Sequence, residues 1–248
     1  MNQSWECHAG SFCAGLDQPA RERLRELGIT REFDSSEILY VQGQPARHVV
    51  VVMVGHVKVT RHSTTGRETL LAVRTNGHVL GADEVLQGGG ILARRTTVEA
   101  LNDVAGLVIE AHRFVRFLDT EKGAWRAIAQ ELRNRVVEAE LRTAGRSADS
   151  AGRRLAKVLL ALIPPARSFV RVRVEEGART RSDFGLTQAE LASLIGSSRE
   201  TVERTLKQWR VRGLVSTSYR NITILQPEAL ARIAGVKWAS TTVPVRTR

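Results

Sequence analysis

The chain has 248 residues, 42% of them hydrophobic; that allows one large domain or two modest ones with proper cores and excludes global disorder. No run approaches the ~18 consecutive apolar residues of a membrane helix, and the N-terminus lacks a basic segment followed by an apolar one, so no membrane partner and no secretory signal are expected. The formal charge of +11 sits in one part of the chain: residues 150–248 hold 18 Lys/Arg against 7 Asp/Glu, whereas residues 1–149 hold 19 of each. A basic part joined to a neutral one points to a polyanionic partner for the C-terminal part.

Taken in chain order, the first sixteen residues show no period and read as a loose arm, with a boundary at 1–18. The arm carries the only cysteines, Cys7 and Cys13, which read as free thiols of a reducing cytoplasm; with His8 between them they are a weak metal or redox signal. Pro19–Leu27 reads as a short helix ended by Gly28, with Leu24 and Leu27 inward. From Glu37 to Glu110 the chain turns to short β-rich runs (EILYV, HVVVVMV, HVKVT, TLLAV, TTVEA, VAGLVI) punctuated by glycines at 43, 55, 66 and 77. Turn signals at that interval between Val- and Ile-rich runs predict a small antiparallel barrel or sandwich within residues 19–111. Gln87–Gly90, with three glycines in a row, reads as a mobile loop or the lip of a ligand site.

From His112 to about Arg146 the period becomes helical, and Trp125, Ile128, Leu132, Val136 and Ala139 form one narrow apolar stripe. A long helix (112–146) with so narrow a stripe suits a two-helix seam between copies of the chain; packing on its own domain is the alternative. Ser147–Ser150 is a polar break and a hinge candidate. Gly152–Leu162 then reads as a helix with Leu155, Val158, Leu159 and Leu162 inward, stopped by Pro164-Pro165. Ser168–Glu175 alternates like a strand, Glu176–Asp183 is a polar loop, and a basic tail occupies 236–248, with Thr241–Arg248 expected disordered.

The segment Leu186–Gln208 carries the function. Thr187-Gln188-Ala189-Glu190 is a capping box, Leu191, Leu194 and Ile195 share a face, and Gly196 ends the helix. Ser197-Ser198-Arg199-Glu200 reads as a second capping box opening a helix with Val202 and Leu206 inward. Two short helices around a tight Gly turn form a helix-turn-helix, in which the N-terminal residues of the second helix reach base edges in the major groove. Here those residues are Arg199, Glu200 and Arg204. The planar fork of Arg matches guanine O6 and N7, and Glu accepts from cytosine N4. Thr187, Ser198, Thr201 and Lys207 are candidates for phosphate contacts. Gly213-Leu214-Val215 and Ile222–Leu225 read as a hairpin whose tip, Tyr219-Arg220-Asn221, offers Arg220 to a neighbouring phosphate. An ordinary helical hairpin, with Glu200 and Arg204 merely paired to each other, is the competing reading.

In this order the elements resemble the family of the cyclic AMP receptor protein and the fumarate–nitrate reductase regulator. The resemblance covers roughly residues 16–235 and rests on the glycine-spaced β-roll, on Gly77-His78-Val79-Leu80-Gly81, on the long helix, and above all on GSSRETVERTLK at 196–207. It implies an α+β chain: an N-terminal antiparallel β-roll of the cyclic-nucleotide-binding kind, a long dimerisation helix, and a C-terminal winged helix-turn-helix over 147–235. It further implies a homodimer on palindromic double-stranded DNA, with half-sites resembling TGTGA, and RNA polymerase as partner if the protein is an activator. On the effector side the chain departs from the family. The Gly-Glu pair that holds the ribose in cyclic-AMP-responsive members aligns with Gly81-Ala82, the Arg-Ser pair that holds the cyclic phosphate there aligns with Arg94-Arg95, and the adenine-contacting positions of those members fall near Ala139 and Glu140. Asp83 and Glu84 lie beside the missing Glu. Arg94-Arg95 is then either an anion site, for a cyclic nucleotide or another anionic effector, or a pair of surface arginines on a turn. Four Cys ligands for an iron–sulfur cluster are lacking, so no cofactor is assigned.

Two other function classes stand beside this reading. One is a small-molecule sensor acting through protein contacts. The other is an enzyme, against which the chain offers no nucleophile–base pair, HExxH, GxxxxGK[ST] or dinucleotide fingerprint.

Overall fold

The computed structural model describes residues 5, 7–66, 68–88, 91–162, 186–218 and 221–236. The expected strand at Ser168–Glu175, the loop at Glu176–Asp183, the Pro164-Pro165 stop, Arg220 and the basic tail lie outside them. The chain divides into two compact units, Met1–Leu141 and Arg142–Arg248.

In the first unit the order is α1 (Gln18–Glu26), β1 (Ile29–Phe33), β2 (Ile38–Tyr40), β3 (His48–Val54), β4 (Val57–His62), β5 (Glu68–Arg74), β6 (Val79–Leu80), α2 (Ala82–Val85), β7 (Thr97–Ala100), β8 (Val104–Glu110) and α3 (Ala111–Thr120). Helix α4 (Ala124–Ala148) runs across the boundary between the units. Two antiparallel four-stranded sheets, ordered β1-β8-β3-β6 and β2-β7-β4-β5, form the β-roll. Glycines 43, 55, 66 and 77 all adopt positive φ, as the spacing of turns predicted.

The valine run of β3 is continuous because both of its faces are buried. Val50 and Val52 face the roll interior with Phe33, Leu39, Tyr40, Leu80 and Val98. Val49 and Val51 face a second core with Leu107, Ile109, Phe114, Phe117 and Ile128. Alternation along a strand sends neighbouring side chains to opposite layers, so two apolar layers need an unbroken apolar strand.

Two expectations are corrected here. The described residues of the N-terminal stretch, 5 and 7–16, are not a loose arm: Trp5, Phe12, Cys13 and Leu16 are buried in the second core, and Cys13–Gly15 forms a 3-10 turn. Single anchors inserted at irregular spacing leave no period to read. The helix expected from His112 is two helices, α3 and α4, parted at Glu121–Gly123, where Gly123 takes φ +84°.

Helix α4 buries Ala124, Ala127, Ile128 and Glu131 against its own unit. Ile128 therefore belongs to the core and not to a seam. Leu132 is half-buried, while Trp125 (46% exposed), Val136 (57%) and Ala139 are exposed along the adjoining stripe.

The second unit holds α5 (Ala151–Ala161), α6 (Gln188–Ile195), α7 (Arg199–Val211), the antiparallel hairpin β9 (Val215–Ser218) and β10 (Asn221–Ile224), and α8 (Pro227–Ala234). Leu155, Leu159, Leu191, Ile195, Val202, Leu206, Trp209, Ile224 and Leu230 form its buried interior. No described helix is long and apolar enough to cross a membrane.

Candidate functional site: a helix-turn-helix and a sensor cluster

Helix α6 opens on a complete capping box. Thr187 Oγ1 accepts from Glu190 N at 3.2 Å, and Glu190 Oε2 accepts from Thr187 N at 2.6 Å. Its far end is a Schellman turn: Gly196 is left-handed (φ 59°, ψ 48°), Gly196 N donates to Ser193 O, and Ser197 N donates to Ala192 O at 2.9 Å. Ser197 is thereby committed to the end of α6. The second capping box expected at Ser197 does not form; Ser198 is the N-cap of α7, accepting from Thr201 N at 3.2 Å.

Val202, Leu206 and Trp209 turn α7's apolar face inward, which leaves Arg199, Glu200, Arg204 and Lys207 exposed. Among the described residues no ion pair joins Glu200 to Arg204, so the two are not spent on each other. Glu200's carboxyl is held below the usual range by hydrogen bonds from its own amide and from Ser198 at the helix N-terminus. Of the phosphate candidates, Thr187 and Ser198 already serve as caps, and the Thr201 hydroxyl lies 3.1 Å from Ser198 Oγ. Each hydroxyl retains lone pairs or a proton for a second partner.

The sensor candidates sit in the first unit. Gly81 takes φ 74° and caps α2. Arg94 is 2% exposed and points inward. Its Nη1 donates to Gly81 O at 3.2 Å, its Nη2 donates to His48 O, and its guanidinium lies 4.2 Å from the Tyr40 ring centroid. A Cβ on Gly81 would overlap Arg94 Nη1, so a larger residue, already strained at this positive φ, would have to displace the guanidinium. Ala82 is fully buried.

The carboxylate beside Arg94 comes from the chain itself. Glu84 is 5% exposed; its Oε2 lies 3.8 Å from Arg94 Nη1, and its Oε1 accepts from Arg95 N at 3.0 Å. Arg95 is exposed, with its Nε 3.6 Å from Glu84. Ala139 and Glu140 are exposed on α4. The α4 residue that reaches this cluster is Arg135, which pairs with Asp83 at 3.5 Å and with Glu131, and donates to Val79 O. Sequence reasoning misses Arg135 and Glu131, because charges on a helix read as a solvated face; only the fold shows that they turn inward. Both cysteines are free thiols, Cys13 buried and Cys7 half-buried.

Comparison with known proteins gives the same two parts. The cyclic nucleotide-binding domain family matches residues 30–121, and the Crp-like helix-turn-helix domain family matches residues 153–233. The transcriptional regulator LdrP of Thermus thermophilus is 31% identical, covering 83% of this chain and 96% of its own. The CRP-like cAMP-activated global transcriptional regulator of Mycobacterium tuberculosis is 26% identical, covering 91% of this chain and 96% of its own. The fold is shared with the c-di-GMP-responsive regulator CLP of Xanthomonas campestris (TM-score 0.62, 19% identity, 84% of this chain and 99% of that one). A CRP-family regulator of Thermus thermophilus gives a TM-score of 0.61 at 25% identity, over 83% of this chain and 96% of that one. The chain is thus a DNA-binding transcription regulator, not an enzyme, and belongs to the Crp/Fnr family.

Proposed function

We propose that the protein acts as a homodimer on a two-fold-symmetric DNA site, reading half-sites that resemble TGTGA through Arg199, Glu200 and Arg204. The observation that carries this reading is the exposed row of those three side chains on the first turns of α7, with no ion pair between Glu200 and Arg204 among the described residues, directly after the Gly196 turn. Phosphate contacts from Thr187, Ser198, Thr201, Lys207 and Arg220 would fix the register without reading sequence.

Two substitutions separate these roles. Arg199→Ala costs about 1–3 kcal/mol on the preferred site and relaxes one base position. Lys207→Ala weakens binding to every sequence and lowers the log–log salt slope by about 1. Fluorescence anisotropy on matched and scrambled duplexes at several salt concentrations distinguishes them. A sequence-independent loss from Arg199→Ala would remove it from the base-reading set.

We propose further that the β-roll does not take a cyclic nucleotide as the cyclic-AMP-responsive members of the family do. The residues do not fit that ligand: the ribose carboxylate is replaced by buried Ala82, and Glu84 brings a second anion to the guanidinium that would hold the phosphate. A phosphate there would face a buried like charge, which is costly in a low-dielectric site. An effector of this domain must displace Glu84 or use Arg94 Nε, which is buried with no hydrogen-bond partner among the described residues. Titration calorimetry with cyclic AMP at about 1 mM should show no saturable heat; a Kd tighter than about 100 μM would refute this mismatch.

A further inference from the structure

Helix α5 begins immediately after the Asp149-Ser150 break and carries two consecutive arginines that reach in different directions. Both α6 and α8 end in Schellman turns, at Gly196 and Gly235. Such turns satisfy the carbonyls one turn back but leave the last helical carbonyl without a backbone partner. Arg154 Nε donates to that carbonyl on α6, Ile195 O, at 2.8 Å. Arg153 Nε donates to its counterpart on α8, Ala234 O, at 3.1 Å. The same two side chains also hold the residue that follows α4: Arg154 Nη1 donates to Asp149 O, and Arg153 Nη1 lies 3.4 Å from Asp149 Oδ1. Lys157 adds a third contact to that carboxylate at 2.9 Å.

The consequence differs between the two arginines. Ile195 O belongs to the peptide that enters Gly196, the turn from which α7 departs. Ala234 O lies beyond the wing and does not touch the turn. We infer that Arg154 is a positioning residue for DNA reading: its guanidinium spans the carbonyl of Asp149, at the end of α4, and the carbonyl that starts the helix-turn-helix turn, so the end of α4 sets where α7 begins. Only a planar fork with donors on separate nitrogens can hold both carbonyls at once; a lysine ammonium is a single point. Arg154 itself contacts no base. It acts on Arg199, Glu200 and Arg204 by fixing the backbone that presents them, and the inference rests on the DNA reading proposed above.

The test uses the full-length protein and a duplex carrying its selected site, with Arg154→Lys compared to Arg153→Lys at a temperature where both are fully folded by circular dichroism. Arg154→Lys should weaken binding to the selected site about tenfold while binding to scrambled DNA stays at the wild-type level, and Arg153→Lys should change either by less than about twofold. The amide nitrogen of Gly196, which shares a peptide unit with Ile195 O, should shift in the Arg154→Lys spectrum and not in that of Arg153→Lys. A folded Arg154→Lys protein with wild-type affinity and an unmoved Gly196 resonance overturns the inference and leaves the DNA reading intact. Equal losses from both variants, or a loss on scrambled DNA as well, overturn it by showing general destabilisation or a phosphate contact. If the wild type itself shows no preference for any site, the DNA reading fails and this inference falls with it.

Discussion

Phe12→Ala should lower the stability of the first unit by about 3–5 kcal/mol, the cost of emptying a fully enclosed aromatic site. Phe12 is 0% exposed and packs edge-on against Phe114 and Phe117, with ring centroids 5.6 and 6.5 Å away. Its backbone N–H donates to the buried Glu131 carboxylate of α4 at 2.7 Å. Asn134 on the same helix donates to Gly10 O at 3.1 Å, and a Cβ on Gly15 would come within 2.8 Å of Ala127 Cβ. The N-terminal segment is therefore docked on α4 at three points, and its loss opens the core beneath. Urea unfolding followed by tryptophan fluorescence measures the change, with Trp5 as a local reporter. A loss under about 1 kcal/mol would mean that residues 5–16 are not part of this core.

Val136→Asp should convert the protein to monomers and reduce affinity for a two-half-site duplex by about 10²–10⁴, the advantage that linking two binding modules confers. Trp125, Val136 and Ala139 are exposed on α4, with half-buried Leu132 beside them, although Ala124, Ala127, Ile128 and Glu131 of the same helix are buried against its own unit. A narrow apolar stripe of this kind is what a two-helix seam needs. In a symmetric dimer the substitution places two carboxylates in that seam, where desolvation and mutual repulsion both oppose pairing. Val136 is a cleaner target than Leu132, which also packs against the core of its own unit. Sedimentation velocity at micromolar concentration decides the matter. A folded Val136→Asp protein that still sediments as a dimer would remove α4 from the interface.

Much of this architecture is legible in the sequence because its signals are local. The positive-φ glycines mark the turns of the roll, and Thr187, Glu190 and Gly196 mark both ends of α6 by chemistry that needs no tertiary context. The parts that escape reading depend on contacts across the chain. Strand β1 escapes because it is a short edge strand with four exposed residues, Ile29 at 78% among them, and so lacks alternation. Helix α8 does carry a local signal, Pro227 at its start and Gly235 at its end, which the reading of the hairpin before it passes over. The gap between α3 and α4 has no proline to announce it, and Gly123 alone is a weak marker. At the sensor cluster, Arg94 is visible from the resemblance, but that Glu84 lies beside it depends on the fold of α2. The roles of Arg153 and Arg154 depend on where two distant helices end.

Selection of bound duplexes from a random DNA pool, with no added ligand and again with cyclic AMP, tests the central claim most directly. A two-fold-symmetric motif should emerge without ligand, with half-sites resembling TGTGA, and it should be unchanged by the nucleotide. A motif that appears only with cyclic AMP would contradict the proposed mismatch of the Arg94–Glu84 cluster with that nucleotide, and the absence of any enriched motif, together with no DNA binding at low salt, would contradict the assignment of α7 as a reading helix.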